Sequence, residues 1–146
     1  MTNILEVKGI NTFINQFHIL EGVSLSVEQG SITALLGRNG AGKTTTLRSI
    51  MGLNPPREGE IIYAGEPIQG KTAYQIAARG IGYVPEYRAI FRALTVEENL
   101  RIAERSKGDL AKRGDLIFEL FPDLKRFYRL PGGQLSGGQQ QMLAIA

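Results

Sequence analysis

The sharpest chemistry in the chain is carried by eight consecutive residues, Gly37-Arg38-Asn39-Gly40-Ala41-Gly42-Lys43-Thr44, with the spacing G-x-x-x-x-G-K-[ST]. Glycines at 37, 40 and 42 let the backbone curl closely around an anion without a Cβ in the way. Successive N–H groups then converge as an anion nest. A helix starting near Lys43 adds its unpaired N–H groups and the positive end of its dipole. The Lys43 ammonium can reach the β- and γ-phosphates of a nucleoside triphosphate. The Thr44 hydroxyl can ligate a Mg²⁺ held between them, and Thr45 follows at the same helix start. A plain glycine turn is the bland alternative, but a strand pattern precedes this stretch and a helix pattern follows it. The glycine positions do not meet the dinucleotide pattern G-x-G-x-x-G. Taken alone, the loop fits a GTPase, a kinase or many ATPases.

A second constellation lies near the end, Leu135-Ser136-Gly137-Gly138-Gln139. Ser136 offers a hydroxyl, and two glycines expose N–H groups at what reads as a helix N-terminus. That is the chemistry of a second phosphate clamp. The apolar run Met142 to Ala146 supplies the helix behind it.

These residues need elements to hold them. Ile4–Val7 reads as a strand, and Val23, Leu25 and Val27 alternate with Ser24, Ser26 and Glu28 as in a half-buried one. Ile32–Leu36 is a continuous apolar run that suits a parallel strand buried on both faces. Lys43–Met51 reads as a helix, stopped by Gly52 and Pro55-Pro56. Glu60–Tyr63 predicts a strand, Ala73–Arg79 a short helix and Ile81–Val84 another buried strand. Beyond Pro85 the pattern turns helical. Thr95 and Glu98 have capping-box spacing, and Val96, Leu100 and Ala103 share one helix face. Leu110–Phe121 is a second helix stopped by Pro122, Asp123–Leu130 a third, and Pro131-Gly132-Gly133 a loop. An α/β half therefore precedes a helical one.

Composition narrows the chemistry further. The chain has 146 residues, 42% apolar and 21% charged, as in an ordinary globular domain. It has no cysteine, which excludes disulfides, thiolate metal sites and cysteine nucleophiles. The net charge of +3 is mild and mixed with acids; it reads as a solvated surface, with an anionic partner such as a membrane surface or nucleic acid as the alternative. No apolar run reaches bilayer length, and the first ten residues lack a signal-peptide core. His18, the single histidine, reads as structural or surface.

Together the two glycine motifs, in this order, resemble the nucleotide-binding domain of ABC ATPases, and the resemblance covers the whole chain. It implies an α/β phosphate-loop core of ABC type with N-terminal antiparallel strands and a helical subdomain. Residues 1–85 would form the core, 86–135 the helical part and 136–146 the start of the signature helix. Gly37 to Thr45 would bind ATP phosphates. Ser136, Gly137, Gly138 and Gln139 would contact ATP held by a second subunit, because such domains pair head to tail under twofold symmetry.

Further positions follow from the same resemblance. Glu86 stands where the family usually has a glutamine near Mg²⁺ and the lytic water. Its surroundings, from Tyr83-Val84-Pro85-Glu86 to Leu94-Thr95-Val96-Glu97-Glu98-Asn99-Leu100, are similar to ATP-binding subunits of branched-chain amino acid importers. "LLGRNGAGKTTTLRSIMGL" and "QQQMLAIA" point the same way. The partners implied are a second ABC subunit and a transmembrane permease, with no nucleic acid, and the place is the cytoplasmic face of the membrane. A subunit of a urea, amide or exporter system, or a non-hydrolytic binding module, are the alternatives. The adenine-stacking aromatic falls by alignment at Ile14, which leaves Phe13 as candidate. Tyr87 and Arg92 replace the glycine and proline usual in that subfamily. The strand with the Mg²⁺-binding aspartate, the general-base glutamate and the switch histidine would come after Ala146, so a chain of these residues alone is expected to bind phosphates at most. Without those strands Ile32–Leu36 is expected to expose apolar surface.

Overall fold

The computed structural model describes residues 2–146. It divides into two compact units, Met1–Tyr83 and Val84–Ala146. The first is built on a four-stranded antiparallel sheet. Strands β1 (Asn3–Ile14) and β2 (Phe17–Glu28) form a long hairpin, β3 (Glu58–Tyr63) pairs with the other edge of β1, and β4 (Glu66–Pro67) follows β3. The β1–β2 register shifts between Val7 and Ile10. That bulge brings Val7, Ile10 and Thr12 to one buried face, which strict alternation would not do. This is why β1 runs well beyond the short strand read at residues 4–7. In β2, half-buried Val23, Leu25 and Val27 alternate with exposed Ser24, Ser26 and Glu28, as their pattern predicts.

Helix α1 (Lys43–Ile50) and helix α2 (Ala73–Ala78) complete this unit. Val7, Ile10, Leu20, Ile50, Met51, Ile61, Ile68 and Ile76 make its core. Thr12 and Ser49, both buried, share a hydroxyl–hydroxyl hydrogen bond of 2.9 Å that ties α1 to β1.

Two expected strands do not form. Residues 32–36 and 81–84 pair with nothing among the described residues. A strand buried on both faces needs neighbours on both sides to satisfy its backbone. Ile32 is fully exposed and Leu36 87% exposed. Ile81 and Tyr83 nonetheless pack against the core of the first unit.

The second unit is helical. It contains α3 (Val96–Ile102), α4 (Asp109–Leu120), α5 (Pro122–Arg126), a single 3₁₀ turn at Gly132–Gln134 and α6 (Gly137–Ile145). Its core is Val96, Leu100, Leu124, Leu135 and Leu143. Ala103 does not join the face of Val96 and Leu100; α3 ends at Ile102 and Ala103 is exposed at its C-cap. Thr95 caps α3 as its spacing predicts: its hydroxyl accepts from the Glu98 N–H, and Glu98 accepts from the Thr95 N–H at 2.7 Å. Pro122 both stops α4 and opens α5, the first helical position where its missing N–H costs nothing. Asp123–Leu130 is helical only to Arg126.

Candidate functional site

The phosphate loop lies between β2 and α1. Gly40 and Gly42 have φ of 83° and 89°, the left-handed region that a side chain rarely adopts. Gly42 has a second reason to be glycine: a Cβ there would lie 2.6 Å from Leu20 Cδ2. The first turn of α1 is thus set directly against β2. Gly42 is also the N-cap of α1 and supplies no side-chain acceptor, so the first N–H groups of the helix stay available to an anion. Residues 37–41 are exposed, Thr44 is exposed and Thr45 is buried. The hydrogen-bond partners of Lys43 Nζ are the carbonyls of Gly37, at 2.7 Å, and Arg38, at 2.8 Å. They hold the ammonium over the loop.

Beside the loop the hairpin carries an aromatic cluster. Phe13 stacks on His18 with centroids 4.1 Å apart and planes within 6°, and the Arg57 guanidinium carbon lies 4.3 Å from the Phe13 centroid. Two groups at those distances cannot share one face, so both faces of Phe13 are covered. His18 is exposed and tied to its neighbours: Nε2 is 3.0 Å from Asn11 Oδ1, and Nδ1 is 3.8 Å from Glu21. Asn11 also accepts from the Gly22 N–H and donates to Glu58. Sequence reading gave Asn11 no role; a lone asparagine in a strand carries no spacing signal.

In the second unit, Ser136 is the N-cap of α6. Its hydroxyl accepts from the Gln139 N–H at 3.3 Å, and Gln139 Oε1 accepts from the Ser136 N–H at 2.9 Å. This leaves the Ser136 O–H free to donate outward. Among the described residues the N–H groups of Gly137 and Gly138 have no hydrogen-bond partner, and both glycines are exposed. Gln139 is further engaged, donating to Asp123 at 2.9 Å. Its side chain is therefore spent inside the unit, while the Ser136 hydroxyl and the two glycine N–H groups face solvent. The Arg88 guanidinium stands next to Gly137, 3.3 Å from where a Cβ would sit.

Glu86 is exposed, and the backbone just after it bends sharply: Arg88 and Ala89 have φ of 69° and 46°. Each such conformation in a non-glycine residue costs about 1–2 kcal/mol. The segment is held from α3. Asn99 accepts from the Phe91 N–H at 2.8 Å and donates to the carbonyls of Phe91, Leu94 and Thr95. Sequence reading also missed Asn99; buried polarity at a helix position was the available signal.

No group of three or more His, Asp or Glu that could hold a metal exists among the described residues. The donors here suit a hard cation bound mainly by phosphate and water, with one hydroxyl from Thr44. None of the described helices is long and apolar enough to cross a membrane.

The sequence model of the family described as ABC transporter matches residues 20–146. The chain is 40% identical, over 97% of its length, to the high-affinity branched-chain amino acid transport ATP-binding protein BraG of Pseudomonas aeruginosa. It is 38% identical, over 98% of its length, to the probable branched-chain amino acid transport ATP-binding protein LivF of Archaeoglobus fulgidus. It spans 62% and 61% of those two proteins. Import ATP-binding proteins for iron(III) and for sulfate match it as well. Among solved structures, a nucleotide-free ATP-binding cassette from an ABC transporter superposes with a TM-score of 0.83 at 28% identity, covering 99% of this chain and 63% of that one.

Proposed function

Because the chain belongs to the ABC transporter family of ATP-binding proteins, we propose that it is the nucleotide-binding part of a subunit that powers import of a small solute, most specifically a branched-chain amino acid. The observation that carries this reading is the pair of glycine-rich helix starts: the cap of α1 has no side-chain acceptor, and the N–H groups of Gly137 and Gly138 at the start of α6 have no partner among the described residues.

Gly37 to Thr45 bind the phosphates of ATP. The nest and the α1 N-terminus hold the β- and γ-phosphate oxygens, and Lys43 adds a point charge within reach of both. Mg²⁺, where bound, would take the Thr44 hydroxyl as its protein ligand and would supply charge neutralisation across the phosphate chain. With its two faces covered by His18 and Arg57, Phe13 has no free ring face to offer an adenine. Ser136, Gly137 and Gly138 close on the γ-phosphate held by a second copy, so ATP bridges two subunits. In the whole protein, that closure and the hydrolysis that follows drive a transmembrane permease from the cytoplasmic side of the membrane. The Glu86 segment, with Tyr87 77% exposed, is the side offered to the permease. The cargo reading rests on the relatives named above and on the Glu86 context; the permease and its delivery protein choose the cargo.

Mixing tests the bridge. Lys43→Ala and Ser136→Ala chains each lose ATP-driven association alone. Mixed together they regain one intact composite site, so association returns to about half. If the mixture stays as inactive as either variant alone, the clamp does not act across subunits.

A further inference from the structure

We infer that Asn99 and Gln140 are positioning residues that join the segment after Glu86 and the Ser136–Gly138 clamp into one hydrogen-bonded body, so that displacement of one is carried to the other. The inference rests on the reading of that clamp as a phosphate site.

Asn99 and Gln140 are both buried, at 9% and 7% exposure. Both side chains reach backbone outside their own helices. The side-chain oxygen of Asn99 and its amide bind the backbone of Phe91, Leu94 and Thr95. That same stretch is bonded to the loop before α6: the Gly132 N–H donates to Leu94 O, and the Gly133 N–H to Arg92 O, each at 2.8 Å. The approach is close, since a Cβ at Gly133 would lie 3.0 Å from Arg92 O. Gln140 takes up the path on the other side. Its amide donates to Gly132 O at 3.2 Å and to Leu135 O at 3.1 Å. Gly132 is therefore held by its N–H to the segment and by its carbonyl to α6, and Leu135 directly precedes Ser136.

Asn99, Gly132 and Gln140, the nodes of this chain of bonds, are buried, and a broken bond there leaves an unpaired donor or acceptor. It cannot stretch gradually. A shift of residues 91–94 must carry Gly132 and Gly133, and through Gln140 the start of α6. Two apolar side chains could fill the same space and hold a core. They could not bind a loop backbone and a helix to the same glycine.

Two variants test this in the complete protein. Asn99→Asp keeps the shape and the Phe91 bond but turns a carboxylate toward three carbonyl oxygens. Gln140→Met keeps the volume and removes both donations. The expected result is KM for ATP within about twofold, because the phosphate loop lies in the other unit, with kcat lowered about tenfold in each variant. The double variant should fall no further than the weaker single one, as two links of one chain do. Amide exchange gives a readout that needs no nucleotide: Gln139 to Leu143 should exchange about tenfold faster in Asn99→Asp while the amides of α4 keep their rates. Where Asn99→Asp melts too low to assay, Gln140→Met decides alone. Unchanged kcat, losses that multiply in the double variant, or equal acceleration of exchange in α4 would overturn the link. Failure of the unaltered protein to bind ATP, with exchange behaving as described, would count against the nucleotide reading and leave the link standing.

Discussion

Lys43 shows how much of the site is decided at single residues. The hydrogen-bond partners of its ammonium are two loop carbonyls, which place it over the loop. Other residues act by satisfying buried partners. Thr12→Val removes a methyl-sized hydroxyl and leaves Ser49, 1% exposed, without its partner. The expected cost is about 1–3 kcal/mol, read from urea unfolding. Two carboxylates carry the pH dependence. Hydrogen bonds from the backbone and hydroxyl of Thr95 hold the Glu98 carboxyl below its usual range, and those from Ser106, side chain then backbone, do the same for Asp109. A depressed folded value means stability that is present above the unfolded value near 4 and is lost as pH falls through the folded one. The midpoint of urea unfolding should therefore stay flat from pH 7 to about 5 and drop below about 4. Glu98→Ala should flatten part of that drop; an identical acid limb in the variant would remove Glu98 from the explanation.

At the scale of elements, caps matter more than propensity. α3 has seven residues, too few to be stable alone. Thr95→Ala should cost about 1 kcal/mol, visible in urea unfolding, and Thr95→Ser should restore most of it. The cap of α3, the start of α1 and the half-buried face of β2 were all legible in the sequence, because each depends on residues within four positions of one another. Other features were not. The bulge that lengthens β1 depends on how its neighbours pair. The roles of Asn11, Asn99 and Gln140 depend on backbone brought from other elements. The apolar runs at 32–36 and 81–84 have strand composition, but a strand is made by its neighbours. The Glu86 position was legible only through family resemblance, since a single exposed glutamate has no local signature.

For the whole molecule, each of the two units has its own core, with Gly37 to Thr44 in the first and Ser136 to Gly138 in the second, so the proposed site residues are divided between them. Leu124→Ala, at a fully buried position of the helical core, should cost about 2–5 kcal/mol. By amide exchange the loss should appear in α3 to α6 before β1 and β2. The exposed run at Ile32 and Leu36 contributes nothing to either core.

The central claim is that Gly37 to Thr45 bind the phosphates of ATP, and equilibrium titration with a fluorescent ATP analogue and Mg²⁺ tests it most directly. Saturable binding should weaken about tenfold to a hundredfold in Lys43→Ala, the loss of one or two hydrogen bonds to a charged group. Under conditions where the chain is monomeric, Ser136→Ala should leave it unchanged. Equal affinity in the unaltered chain and in Lys43→Ala would contradict the account.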